Sequence, residues 1–554
     1  MVGWISVPPE TPTVRVELRL DDFVVASTAA TVASSMSGAD SVLRGGRPGA
    51  AVETPPQRVH KWQIPMIPSP PDDRRNSSEE IRTFSFRVRG IWPYVGKRTR
   101  VSVWVDGRPL PIHRHGMFLQ PHHKGKKPLA ELRQMFDRGY LLDQLGSISL
   151  ARGLDVEWQS AVMQLYRRVS DVLEKEFDLE VFLIYGTLLG AVREGGPIGH
   201  DADFDVAYLS DRRTGAEAAE QMQDVALALV HAGLDVDCRP TALHIHDSDA
   251  PDHRLDLFHC YFDESGEIAW PFGAAGQSEF RRADWNGLRP LTFLGHEALV
   301  PVAAEKLVAH LYGDDWRQPK SGFNWDLDRT RWAPEGRLTV EQQTRVYWAN
   351  FYSHHEFAQG STFSEFVVER GGFPRHVIDI GCGDGRDSCA LGRAGHTVLG
   401  LDQSSEGTEH ATAHAAALEL DERVSFEICD VTDTATLRQQ LDRFRERSGG
   451  GPVAFYMRFF LHAIPAHAQD GLLSTIQASS RSGDVLLAEF RTLADEAVKK
   501  VHGRHYRRYI DAPQLREELE RRFGFEVDYF TEQDGLSPYG GEDPVLCRIV
   551  ARRP

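Results

Sequence analysis

Val181-Phe182-Leu183-Ile184, an apolar run, leads into Tyr185-Gly186-Thr187-Leu188-Leu189-Gly190-Ala191-Val192-Arg193, and His200-Asp201-Ala202-Asp203-Phe204-Asp205-Val206 follows shortly after. The apolar run predicts a buried strand, and the glycine and threonine behind it predict a turn. Carboxylates at alternate positions predict an extended strand, because side chains at i, i+2 and i+4 share one face. Asp201, Asp203 and Asp205 then stand together, with Ala202, Phe204 and Val206 on the buried side. Like charges so placed repel unless a cation sits among them. Oxygen-only ligands suit Mg2+ or Mn2+, held by carboxylates and substrate phosphates. Gly186 and Thr187 let the backbone approach a phosphate, and Arg193 supplies a positive fork. Such a set serves metal-assisted phosphoryl transfer; a merely solvated acidic face is the alternative.

YGTLLGAVR followed by DADFDV resembles the LicD/fukutin-type transferases, although Gly199, His200 and Ala202 stand where Pro, Trp and Asp are common in that family. The resemblance implies an α+β nucleotidyltransferase-like fold. It also implies transfer of a phosphoalcohol from a CDP-linked alcohol donor to a glycan acceptor, free or lipid-linked. By the same resemblance Asp203 and Asp205 are catalytic, Asp201, Asp203 and Asp205 bind metal, and Gly186, Thr187 and Arg193 bind substrate. Downstream, Arg254-Leu255-Asp256-Leu257-Phe258 reads as a strand, and Asp256 resembles the family's third acid, a ligand or a base.

At 554 residues the chain exceeds one hydrophobic core, so several domains are expected. A net charge of −17 argues against a general nucleic-acid binder. No apolar run approaches the ~20 residues that span a bilayer. MVGWISVPPETPTVRVE has neither a basic n-region nor an apolar h-region, so no secretory signal is expected. Six scattered cysteines without a C-x-x-C pair read as reduced thiols. A cytoplasmic location, or one at the inner face of the membrane, is expected.

Residues 1–128 read as a β-rich, sandwich-like domain, a scaffold or a glycan binder. Val14, Val16, Leu18 and Leu20 alternate with charged residues, as do Val101, Val103 and Val105, and Asp106-Gly107 signals a hairpin turn. The Ala/Ser/Gly/Pro-rich stretch from about 27 to 80 reads as loops. His122-His123-Lys124-Gly125-Lys126-Lys127 reads as a solvated basic linker. Residues 129–332 form the transferase region, with a helix capped by Asp155.

A second unit is expected over 333–554. Val377-Ile378-Asp379-Ile380 runs into Gly381-Cys382-Gly383-Asp384-Gly385, and Asp402 closes the next strand. Glycines admit a close ligand and an acid about 20 residues on binds ribose hydroxyls, which is Rossmann-type logic. Asp379 before G-C-G-D-G, with the later Cys429-Asp430, resembles class I S-adenosylmethionine-dependent methyltransferases; a NAD site is the rival. The resemblance implies an α/β Rossmann-like fold in which Asp379, Gly381, Gly383, Gly385, Asp402 and Asp430 bind S-adenosylmethionine. His462 could be a general base for the methyl acceptor, or a packing histidine. The basic cluster Arg504-His505-Tyr506-Arg507-Arg508 could hold a phosphate or face solvent. The whole reads as a bifunctional enzyme modifying a cell-surface glycan or teichoic-acid-like polymer. Two alternatives stand: a methyltransferase with a non-catalytic LicD-like binding module, and a nucleotidyltransferase acting on a small molecule.

Overall fold

The computed structural model describes residues 1–12, 14–32, 80–121, 125–143, 145–201, 203–247, 250–273, 278–318, 334–355, 359–498, 500–501 and 506–554. Ala202, His122-His123-Lys124, Arg504-His505 and most of the expected 27–80 loops lie outside them. Contacts divide the chain into two compact units. The first comprises Met1–Asp171, Leu179–Thr214 and Asp252–Pro334; the second comprises Val172–Asp178, Gly215–Pro251 and Glu335–Pro554.

The first unit begins with β1 (Val2–Val7), β2 (Val14–Leu20), β3 (Phe23–Val32), β4 (Glu80–Ser85), β5 (Val101–Val105) and β6 (Arg108–Leu110). They pair antiparallel in the order β1-β4-β3-β2-β5-β6. Val14, Val16, Leu18 and Leu20 are buried, as their alternation predicts. Asp106 and Gly107 turn the β5–β6 hairpin, both at positive φ (47° and 75°), the backbone that an Asp-Gly pair favours. The six strands follow one continuous pairing order, and the expected sandwich is not confirmed. The apolar face of this sheet is covered by α1 (Leu129–Asp137), through Leu132, Met135 and Phe136, and by the hairpin Tyr140–Leu142/Ile148–Leu150, through Leu142 and Ile148. Alternation fixes which face is buried but leaves open whether strands pair into one sheet or two.

Further along are β7 (Val181–Leu183), α2 (Tyr185–Arg193), β8 (Asp205–Leu209), β9 (Ala250–Phe262), β10 (Leu288–Phe293) and β11 (His296–Pro301). In this unit they run β9-β8-β7-β11-β10. β8 is parallel to β9 and antiparallel to β7. The end of β7 and the start of β8 therefore share one sheet edge. The expected glycine-threonine turn is in fact the first turn of α2, because Leu188, Leu189 and Ala191 are strong helix formers.

In the second unit, α3 (Val340–His354) is followed by β12 (His376–Ile380), α4 (Arg386–Arg393), β13 (Thr397–Asp402) and β14 (Val424–Ile428). β15 (Val453–Arg458), β16 (Val485–Arg491), β17 (Glu526–Gln533) and β18 (Leu546–Arg552) complete the sheet, in the order β14-β13-β12-β15-β16-β18-β17. All pairs are parallel except those made by β18. The order reverses between β12 and β15, which opens a crevice beyond the strand ends. The hairpin Leu234–Cys238/Leu243–Asp247 belongs to this unit: Asn350 on α3 accepts the Val236 amide at 2.9 Å and donates to Asp235 at 2.8 Å.

Candidate active sites

Only Asp205 belongs to a strand. Asp201 and Asp203 precede β8, and the Asp203 amide donates to Asp201 Oδ1 at 3.3 Å, so the three acids do not form an alternating strand face. Phe204 and Val206 are buried as expected. The acids converge by another route. Thr187 Oγ1 accepts the Asp205 amide at 2.8 Å, which fixes the start of β8 to the first turn of α2. Asp256 sits beside Asp205 in the parallel register of β8 and β9. A Cβ placed on Gly186 would collide with Asp201 Oδ2 and lie 3.6 Å from Asp205 Oδ2. Glycine here lets two carboxylates close over the helix start.

Sequence reasoning missed the residue that organises this cluster. Arg254 meets Asp203 Oδ1 at 2.6 Å and Asp256 Oδ1 at 2.7 Å. The R-x-D spacing on a strand was the available signal, since i and i+2 share a face. Four acids thus lie close together, and one guanidinium holds two of them. Burial pushes Asp205 well up from the usual carboxylate range, and Asp201, Asp256 and Asp203 push it further. Burial also raises Asp256 to about 7, against the pull of Arg254.

Among the described residues no group of three His, Cys, Asp or Glu has a metal-binding arrangement. Asp203, expected as a third metal ligand, is here paired with Arg254, as Asp256 is. The pair Asp201 and Asp205, closing on Gly186, could hold Mg2+, which commonly takes one or two carboxylates and completes its shell with phosphate oxygens. Arg193 is engaged by Glu194 at 2.6 Å and by the Trp316 carbonyl at 3.4 Å.

The second unit holds a cavity of about 850 Å³ at the crevice between β12 and β15. Asp379, Gly381, Asp402, Asp430 and His462 all line it; Gly383 and Gly385 do not. Gly383 instead carries the turn at φ 55°, where a Cβ would strike the Tyr352 hydroxyl, and its amide donates to Asp402 Oδ2 at 2.9 Å. Gly385, at φ 73°, packs on Ala411 and Phe426. The Ser404 amide holds the other Asp402 oxygen at 2.9 Å, so that carboxylate is aimed by backbone alone. Asp430 Oδ1 accepts from the Thr432 amide and hydroxyl at 2.8 and 2.7 Å. Asp379 is fully desolvated and pushed up to about 8, although the Ser388 hydroxyl donates to it at 2.6 Å.

His462 Nδ1 accepts the Arg491 amide at 3.2 Å, so the ring carries its proton on Nε2 and offers a donor in that state. The general-base role would need the opposite tautomer. Tyr347, Trp348, Phe351 and Tyr352 from α3 line the same cavity as an aromatic wall. Phe459, a bulky residue at φ 54°, lies beneath Arg458, whose guanidinium carbon is 4.2 Å from the ring centre. Such strained backbone clusters at working sites.

Two family models match the chain. Residues 178–303 match the nucleotidyltransferase domain of LicD/FKTN/FKRP, and residues 375–445 match a methyltransferase domain. Similar solved structures include a SAM-dependent methyltransferase from Anabaena variabilis ATCC 29413, 16% identical, covering 39% of this chain and 96% of that one, with TM-score 0.31. The glycopeptide N-methyltransferase MtfA complexed with S-adenosyl-L-homocysteine is 16% identical over 36% of this chain and 90% of its own, with TM-score 0.27. Magnesium protoporphyrin IX methyltransferase from Synechocystis PCC 6803, with bound S-adenosyl-L-homocysteine, is 15% identical over 40% and 90%, with TM-score 0.26. The strand order, glycine loop and family match mark the second unit as methyltransferase-like independently of these likenesses.

Proposed function

We propose a bifunctional transferase acting in cell-surface glycan or teichoic-acid-like polymer modification. The first unit moves a phosphoalcohol from a CDP-linked donor to a glycan hydroxyl, and the second methylates that glycan or its substituent. The observation that carries the first half is the gathering of Asp201, Asp203, Asp205 and Asp256 at the start of a helix, with Asp203 and Asp256 held by a single arginine. The matched LicD domain and the methyltransferase domain support the pairing. Free cysteines throughout are consistent with work in the cytoplasm.

In the transfer, the acceptor oxygen bonds to the diester phosphorus while the bond from phosphorus to CMP breaks. Asp201 and Asp205 would hold Mg2+, which when bound neutralises the donor phosphates and the departing CMP. Asp256, with its carboxyl near neutrality, takes the proton of the acceptor hydroxyl on one oxygen as Arg254 yields it. Arg254 then turns its guanidinium to the donor phosphates. In the second unit, S-adenosylmethionine supplies an electrophilic methyl group on sulfur. Asp402 orients the ribose hydroxyls, the loop at Gly381 makes room for the methionine part, and Asp430 meets the adenine edge. His462 orients the acceptor through Nε2–H.

Arg254 on both Asp203 and Asp256 favours one second reading, in which the acidic unit binds glycan without catalysis and serves the methyltransferase. Calorimetry separates the two. CDP-glycerol, CDP-ribitol or CDP-choline should bind only with magnesium present if the catalytic reading holds. None should bind if the acidic unit is a glycan module, and a nucleoside triphosphate should bind instead if it is a nucleotidyltransferase.

A further inference from the structure

Residues 81–130 carry 11 Lys and Arg against one acid, Asp106, in a chain whose net charge is −17. So steep a local reversal needs a reason, since dispersed lysines would serve solubility equally well. The fold concentrates part of it. The turn at Gly96–Thr99, closed by mutual hydrogen bonds, lifts Lys97 and Arg98 into solvent. The segment 117–119 lies on one side of this turn, where Leu119 pairs with Val101 and Arg100 stacks over the Phe118 ring at 4.9 Å. On the other side the Gly125 amide donates to the Val95 carbonyl, and Lys126 and Lys127 follow, both exposed.

Three large apolar side chains project from the same knob: Trp92, Met117 and Phe118 are 40%, 52% and 38% exposed. The neighbouring acids are already engaged. Asp21 accepts the Arg100 amide, Asp22 pairs with Arg133, and Glu131 pairs with Lys127. Cations alone would suit any polyanion. A soluble polysaccharide, however, gives methionine and phenylalanine side chains little to bury into, and nucleic-acid bases stack on aromatic rings but leave a methionine uncovered, whereas the headgroup region of a bilayer accepts both features at once.

We infer that this knob docks the protein on an anionic lipid surface, with Trp92, Met117 and Phe118 entering the interface and Lys97, Arg98, Arg100 and Lys126 meeting lipid phosphates. The inference is independent of the reading of either active site. The test is co-sedimentation of the full chain with phosphatidylcholine vesicles and with vesicles of equal parts phosphatidylcholine and phosphatidylserine. Binding should be confined to the anionic vesicles and should weaken as salt rises. Lys97→Glu with Arg98→Glu should weaken it by about 25-fold or more, taking roughly fivefold per charge lost. Met117→Ser with Phe118→Ser should weaken it without changing its salt dependence. An unchanged circular-dichroism spectrum and thermal unfolding profile would show that each variant is folded. Equal binding to neutral vesicles, no vesicle binding, capture by a soluble polyanion alone, or indifference to both variants would overturn the inference.

Discussion

Arg254 grips Asp256 with two nitrogens, Nε at 2.7 Å from Oδ1 and Nη2 at 2.9 Å from Oδ2, while Nη2 also reaches Asp203 at 2.6 Å. One cation thus restrains two of the four acids that gather at the start of α2. The arginine occupies the electrostatic position that donor phosphates and a divalent ion would compete for. Arg254→Gln should therefore destabilise the ligand-free protein by about 1–2 kcal/mol, less than a fully buried pair because the guanidinium is over a third exposed. It should also tighten Mn2+ binding measured by electron paramagnetic resonance. Unaltered manganese affinity would mean that Arg254 and the ion do not share these acids.

Asp205 is buried among like charges, and its carboxyl lies well above the ordinary range because of that burial and of Asp201, Asp256 and Asp203. Asp205→Asn keeps a neutral group where the fold disfavours a charge. The variant should melt no lower than the parent while losing phosphoalcohol transfer by about a thousandfold, the scale of several kcal/mol of charge stabilisation. A strongly destabilised variant would identify Asp205 as a structural acid.

Asp379 gives the second unit a pH signature. Its ordinary value of 3.8 is raised to about 8, chiefly by burial. A raised carboxyl stabilises the fold in its neutral form, fully below the ordinary value, and that stabilisation is lost as pH climbs through about 8. Asp379→Asn keeps a neutral group at all pH values. Melting curves of parent and variant without S-adenosylmethionine should therefore diverge as pH rises, with the parent falling. Parallel curves would show that Asp379 ionises normally.

Gly383 tests the loop. At φ 55° an alanine is strained by about 1–2 kcal/mol, and its methyl group would displace the Tyr352 hydroxyl. Gly383→Ala should weaken S-adenosylhomocysteine binding about tenfold. Combining it with Tyr352→Ala, which removes the ring atoms that the new methyl group would strike, should cost less than the two single changes together if the clash is the cause.

Much of both sites was legible because local pattern and chemistry coincide there. The apolar run before Tyr185 is a buried strand, and Asp379, the glycine loop and Asp402 meet at the head of a parallel sheet. What escaped depends on distant partners. The α2 helix was hidden behind Gly186 and Thr187, whose roles are to admit Asp201 and to hold the Asp205 amide. The alternating aspartates suggested a strand, yet the chain turns through Asp201 and Asp203 before β8 begins. The grouping of Gly215–Pro251 with the second unit depends on contacts such as Asn350 to Asp235, across more than 100 residues, which no local period encodes.

The most direct measurement is CMP release from CDP-linked alcohols in the presence of a glycan acceptor and magnesium. The parent chain should release CMP in step with acceptor modification, and Asp205→Asn should cut release by about a thousandfold while binding S-adenosylhomocysteine as the parent does. Release by Asp205→Asn at the parent's rate, or a parent chain that never releases CMP while its methyl transfer proceeds, would contradict the account.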